Sequence, residues 1–428
     1  MKKTTISMLI IFLVLSLCFP FSSFAASKMT LQEQIDKASK GDIIKIAEGE
    51  YDESIKINKP ITLEGMGNVV IRSCSEQAVI QVKGKNVVLK HVKVEQCSKG
   101  DKTAGILVSG SGHHLENIAI QTNKFGIQLK DAENVTIQKT NIQGNHKGNG
   151  IDLWKSKDNT LQNNMINKAL DGFYLEQSDA NIIRNNTVQN SRYGMHLMFS
   201  DQCLLEGNTS QQNTSGLMLM EAKSTTIQRN DFSFNNENVH SQGMLLYHAY
   251  ETDIVNNTFV SNRVGIFVEE AEKNQFQQNQ LKGNFIGVQF LKSQNNQLSG
   301  NTFTGNVNDA QAIESHHNSI EKNYWDSAQK LDIYGKGLSA IPYTADPFFL
   351  TLTADVPEYQ IFFQAPGMVF LQKLLKSPKD ALLIDNQPLM VMTTKQAETA
   401  NSSGGIWMIS AVMLIGSSIL FWVGRKQQ

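Results

Sequence analysis

Two short runs carry soft donor atoms at a regular spacing. "RYGMHLMFSDQC" (Arg192 to Cys203) sets His196 and Met198 two residues apart, and "SGLMLM" (Ser215 to Met220) sets Met218 and Met220 two apart. Imidazole nitrogen and thioether sulfur together suit copper(I), a soft cation. A step of two is the spacing of one face of a β-strand. The competing reading is that these methionines are apolar filler, covered by a loop, by the C-terminal segment or by a partner, with no metal bound. The choice turns on which face of which element they occupy.

An internal repeat defines the element. Glycine recurs before short apolar runs at Gly150, Gly172, Gly194, Gly216, Gly243, Gly265 and Gly287, in steps of 22 with a single step of 27. A second column, Asn164, Asn186, Asn208, Asn230, Asn257, Asn279, Asn301 and Asn323, stretches at the same place. The insertion lies near "NNENVHSQ" (Asn235 to Gln242), where His240 sits in a longer coil that could serve docking or be a plain bulge. Units of this size, with short period-two strands, bury a core only by stacking on their neighbours. We therefore expect an all-β fold, a right-handed parallel β-helix over residues 41–327. Its asparagines would form an internal ladder, and its glycines would supply backbone freedom at turns. "LQEQIDKASKGD" reads as an amphipathic helix capping the first coil within residues 26–40, and residues 328–405 read as a C-terminal cap and linker.

The repeat sets the register. The first and third residues after each glycine read Ile151 and Leu153, Phe173 and Leu175, Met195 and Leu197, Leu217 and Leu219, a core-facing pair. The second and fourth must then face out: Asp152 and Trp154, Tyr174 and Glu176, His196 and Met198, Met218 and Met220, Leu245 and Tyr247, Phe267 and Glu269. An outer strand face is ordinarily polar, so this row is a candidate binding surface. Stacked coils lie ~4.8 Å apart, which brings His196, Met198, Met218 and Met220 to one place as candidate copper ligands. Trp154, Tyr174, Glu176, Tyr247, His248 and Phe267 would form the surrounding binding surface. His113, His114, His146, His316 and His317 read as solvated turn residues.

The chain has 428 residues and a formal net charge of −1, which offers no electrostatic case for nucleic acid. Residues 1–25 have the charged start, apolar run and small-residue site of a secretory signal, with cleavage expected after Ala25. Leu17 before Cys18 is too large for a lipidation site. Ile406 to Val423 is uncharged and long enough to span a bilayer, with Trp407 and Trp422 near its ends. Arg425 and Lys426 place residues 424–428 in the cytoplasm and the repeat outside the membrane. Cys74 and Cys97, 23 apart, fall about one coil apart and could stack or pair; with Cys203 the mature count is odd.

Parallel β-helices also carry polysaccharide lyases and epimerases, for which Asp152, Glu176 and Glu269 are candidate acid/base groups, or act as adhesins without chemistry. Five stretches favour another reading: "GDIIKIAEGEYDESIKINKPITLEG" (Gly41 to Gly65), "RYGMHLMFSD", "NYWDS" (Asn323 to Ser327), "PGMVFLQKLL" (Pro366 to Leu375) and "PLM" (Pro388 to Met390). With them the mature chain resembles the NosD family, β-helical maturation proteins of nitrous oxide reductase. The resemblance implies a non-catalytic extracytoplasmic factor that helps assemble copper sites. It also implies partners: the membrane subunit of an ABC transporter, a copper chaperone lipoprotein and the reductase itself. One departure is that "SAQKLDIYGKGLSAIPY" lacks the acidic turn that often follows "NYWD" in the family, which argues against a cation site there. The C-terminal span is a feature of only some members.

Overall fold

The computed structural model describes residues 29–100, 103–346, 367, 370, 377 and 382–392. The expected signal peptide and the apolar segment 406–423 lie outside these residues, as does most of Pro366 to Leu375. Among the described residues no helix is long and apolar enough to cross a membrane.

Two units divide the chain, one up to Thr225 and one from Thr226. Each is a parallel β-solenoid whose coils contribute a strand to each of three sheets. In the first unit, Ile151–Trp154, Asp171–Glu176, Tyr193–Met198 and Ser215–Met220 stack in register: Ile151 beside Phe173, Met195 and Leu217, and Leu153 beside Leu175, Leu197 and Leu219. All eight side chains are fully buried. The second unit repeats the rule, with Met244, Ile266 and Val288 in one inner row and Leu246, Val268 and Phe290 in the other. Parallel coils leave each strand's apolar row facing the interior, so the solenoid core is a column of aliphatic and aromatic side chains.

The asparagine column forms the expected ladder. Asn164 donates to Asn186 Oδ1 from both its backbone N (2.9 Å) and Nδ2 (3.1 Å), and Asn186 does the same to Asn208 (3.0 and 3.0 Å). In the second unit the ladder runs Asn257, Asn279, Asn301, Asn323. These amides are almost wholly buried, and a buried polar group left unpaired would cost roughly 1–3 kcal/mol. The last rung is different. Asn323 N and Trp325 Nε1 donate to Asp385 Oδ2 at 2.9 and 3.0 Å, where Asp385 ends the strand Leu383–Asp385 that pairs antiparallel with Tyr343–Ala345.

The glycine column corrects the sequence reading. Gly172 and Gly194 do not have positive φ. They are required by space: a Cβ on Gly194 would sit 1.9 Å from Ser210 Oγ and 2.5 Å from the Gly216 carbonyl oxygen, and one on Gly172 would sit 2.5 Å from the Gly194 oxygen. The left-handed bend falls instead just after each strand and is made by larger residues: Lys155 (φ 46°), Gln177 (φ 50°), Phe199 (φ 49°) and Glu221 (φ 46°). Each such residue costs on the order of 1 kcal/mol, which stacking must offset.

The expected N-terminal helix spans Leu31–Lys37, with Thr30 and Glu33 closing a capping box and Leu31 and Ile35 buried. Glu53 accepts from the Leu31 and Gln32 backbone N–H groups, tying the helix start to the first coil. Cys74 and Cys97, left open by the sequence, form a disulfide with Cα atoms 4.6 Å apart, and Cys203 is free and buried. His113 is not a solvated turn residue: it is buried, and its Nδ1 accepts from Val87 N at 3.1 Å.

Candidate metal-binding site

Two outer rows of the first unit carry the candidate ligands. One runs Asp152, Tyr174, His196, Met218 and the other Trp154, Glu176, Met198, Met220, each residue the direct cross-strand partner of the next. The four predicted ligands are thus brought together on two adjacent strands. Their environment differs from the open face the alternation implied. Trp154 is exposed, and Tyr174, Glu176, Met198, Met218 and Met220 are half-buried, but His196 and Asp152 are buried.

His196 is covered by its own coil and the one before. Its ring meets Tyr174 and Tyr193 edge-on at 5.1 and 5.0 Å between centroids. Its Nδ1 lies 3.0 Å from Asp171 Oδ2. Arg192 grips the same carboxylate through Nε (2.9 Å to Oδ1) and Nη2 (2.7 Å to Oδ2) and lies over the Tyr193 ring at 4.5 Å. Burial pushes the Asp171 carboxyl up, but the hydrogen bonds and charges of His196 and Arg192 outweigh it and hold the group below the usual range. An ionised carboxylate only accepts, so Nδ1 carries the proton. In the neutral ring Nε2 then holds a lone pair. That Nε2 is buried and has no hydrogen-bond partner.

A carboxylate that holds one ring nitrogen while the other stays free is how metal-binding histidines are commonly oriented. The sulfurs beside it are soft donors. Tyr174 OH donates its one hydrogen to Glu176 Oε2 at 2.5 Å and lies 3.5 Å from Met198 Sδ. Burial and the Glu176 charge raise the Tyr174 pKa, so the phenol stays a donor. Among the described residues no group of three or more His, Cys, Asp or Glu side chains could hold a metal.

Asp152, read as a possible acid/base group, is sealed off from solvent. Asn149 Nδ2 and Gln128 Nε2 donate to it at 2.7 and 3.1 Å, and burial raises its pKa. In the second unit the Tyr247 ring stacks on His248 at 4.3 Å, and His248 Nε2 is bonded to Glu270, so that histidine is already partnered. Phe267 and Glu269 are half-buried on the strand Val264–Glu269.

Sequence reasoning missed Asp171, Arg192 and Tyr193. A signal was present: Asp171 directly precedes a column glycine, at a corner where the chain brings it beside the outer row.

This is the architecture of a right-handed parallel β-helix: the family model described as "Right handed beta helix region" matches residues 61–210. The model described as "Periplasmic copper-binding protein (NosD)" matches residues 140–339, the stretch that contains the His196 site. Together the two matches support the NosD family for this chain. Among solved structures it is similar to the A-module of mannuronan C-5 epimerase AlgE6 from Azotobacter vinelandii, with TM-score 0.60 and 15% identity over 70% of this chain and 94% of that one. At that identity the likeness is one of fold. It is 27% identical over 166 residues to a cell surface glycoprotein of Methanothermus fervidus, covering 32% of this chain and about a quarter (24%) of that protein's length. An 84-residue stretch, 20% of this chain, is 30% identical to large ribosomal subunit protein uL24 of Parafrankia sp. (strain EAN1pec), covering 67% of that protein.

Proposed function

We propose that this chain is an extracytoplasmic, membrane-anchored factor that handles copper for the maturation of nitrous oxide reductase, without catalysing a reaction itself. The observation that carries the reading is the buried, unpartnered Nε2 of His196, fixed through Nδ1 by Asp171 and set beside Met198 and Met218. Copper is cargo here. His196 would supply a nitrogen donor and Met198, Met218 and Met220 thioethers, a set that holds copper(I) and disfavours harder cations. The half-buried sulfurs keep the cargo reachable from solvent, as delivery requires. The expected partners are an ABC transporter membrane subunit, a copper chaperone lipoprotein and the reductase. The test is competitive copper(I) titration of the full chain against a variant with His196→Ala, Met198→Leu, Met218→Leu and Met220→Leu. Equal affinities would remove the site from the reading.

A second reading, a polysaccharide-binding or polysaccharide-modifying surface protein, is favoured by one feature. Exposed Trp154 lies 6.3 Å from Tyr174, ring to ring, on the same outer face. The sealed carboxylate of Asp152 speaks against acid/base work there. Turnover of defined glycans by the protein would establish this second reading.

A further inference from the structure

A second surface, at the C-terminal side of the second unit, is apolar for a different reason. In the loop 331–341, Ile333 and Tyr334 are 61% and 77% exposed, with Leu331 and Ile341 also open. Beside it runs the segment 388–392, where Val391 is 71% exposed. The two are joined by Ser339 N to Pro388 O at 2.7 Å and Met390 N to Gly337 O at 3.0 Å. The loop is firmly built. Asp332 Oδ1 accepts from Tyr334 N and Lys336 N, each at 3.1 Å, and Oδ2 accepts from Gly337 N at 2.7 Å, so the one carboxylate near the tip is turned inward.

Exposed isoleucine, valine and tyrosine on one hydrogen-bonded platform, with Lys336 Nζ 5.9 Å from the Tyr334 ring, match what a lipid interface takes up: apolar side chains, an amphipathic aromatic and a snorkelling cation. Thirteen residues separate Met392 from Ile406, where the apolar segment begins. A random chain of that length spans ~20 Å, so the platform and the apolar segment are close along the sequence. Tethering gives the platform a high effective concentration at the bilayer, so a weak contact suffices. We propose that this platform rests on the headgroup boundary of the membrane that anchors the chain. The proposal is independent of copper and rests on residues 406–423 being the anchor.

The test places a nitroxide label at Tyr334→Cys in the full chain, reconstituted into phosphatidylethanolamine–phosphatidylglycerol vesicles, with Glu251→Cys in an exposed turn of the same unit as reference. Cys203 is buried, Cys74 and Cys97 are bridged, and Cys18 is replaced by Ser, so the new thiol takes the label. The label at 334 is expected to collide more with oxygen than with a water-soluble nickel complex, and the label at 251 the reverse. An aqueous profile at 334 on vesicle-bound protein overturns the proposal alone. Shielding from both reagents overturns it too, since a second copy or another part of this chain would then cover the loop. A chain that does not associate with vesicles overturns the anchor and the platform together.

Discussion

The strand Tyr193–Met198 in the first unit and the strand Val264–Glu269 in the second share one repeat and diverge only on their outer faces. Their inner rows, Met195 and Leu197 against Ile266 and Val268, are interchangeable in kind, all fully buried. Outside, His196 is enclosed by two tyrosines and locked to an Asp171–Arg192 pair. Phe267 has no polar atom to offer, and Glu269 is half-exposed. The repeat therefore dictates the interior and leaves the exterior free to specialise. Specialisation shows as two coupled departures: a soft outer row, and a corner carboxylate that orients it.

The largest effect should come from removing the soft row. The fourfold His196, Met198, Met218 and Met220 variant is expected to lose at least ~100-fold in copper(I) affinity, about 2.7 kcal/mol, in a chromophoric competition assay. Phe267→Ala and Tyr247→Ala should leave affinity unchanged, and an equal loss in the second unit would erase the contrast between the two strands. Next, Gly194→Ala forces a methyl against Ser210 and the Gly216 carbonyl and should cost about 2 kcal/mol in chemical denaturation. Tolerance of alanine there would mean that the close approach of the coils does not require glycine.

Asp171→Asn should lower copper(I) affinity by ~10-fold, the lower end for loss of a carboxylate that orients a ligand. A released His196 tautomer would show in the imidazole nitrogen chemical shifts. An affinity equal to wild type would mean that the ring needs no orienting partner.

The smallest effect is a contrast in pH dependence between two buried carboxyls. Asp171 is depressed in the fold, so its contribution is present above the ordinary carboxylate range and lost as pH falls through its lower folded value. Asp152 is raised by burial, so its ionisation in the fold costs stability as pH climbs from the ordinary value to the raised one. Asp152→Asn should therefore change stability at neutral pH by less than about 1 kcal/mol and flatten the rise of that cost. Acid unfolding of both variants checks the opposite signs.

Much of the fold was legible in the chain because a solenoid writes its architecture as a period. The asparagine ladder, the inner rows and the cross-strand pairing of His196 with Met218 all follow from steps of 22. Alternation, however, is a rule about backbone direction, and burial also depends on what lies beside a strand. It placed His196 and Asp152 outward correctly and misjudged their exposure, because Arg192 and Asn149 come from corners that the strand pattern does not describe, and Tyr193 lies ahead of the column glycine from which the pattern was counted. The role of the column glycines was misread for a related reason: a periodic glycine signals either special φ or a close approach, and only coordinates separate the two. The Cys74–Cys97 bridge needed the same three-dimensional check, since a spacing near one coil permits stacking and pairing alike.

The last rung of the asparagine ladder has a consequence for assembly. Every interior rung both accepts from one neighbour and donates to the next, so a ladder of amides can in principle be extended without limit, as in a growing polymer. Asp385 breaks that symmetry: its carboxyl oxygens take the final donors from Asn323 and Trp325, and the side chain has no amide hydrogen to pass on. It acts as a chain terminator. A parallel solenoid presents strand edges that could template another copy, and an acceptor-only side chain at the end of its hydrogen-bond relay is one way such a protein stays a discrete molecule rather than the seed of a fibre.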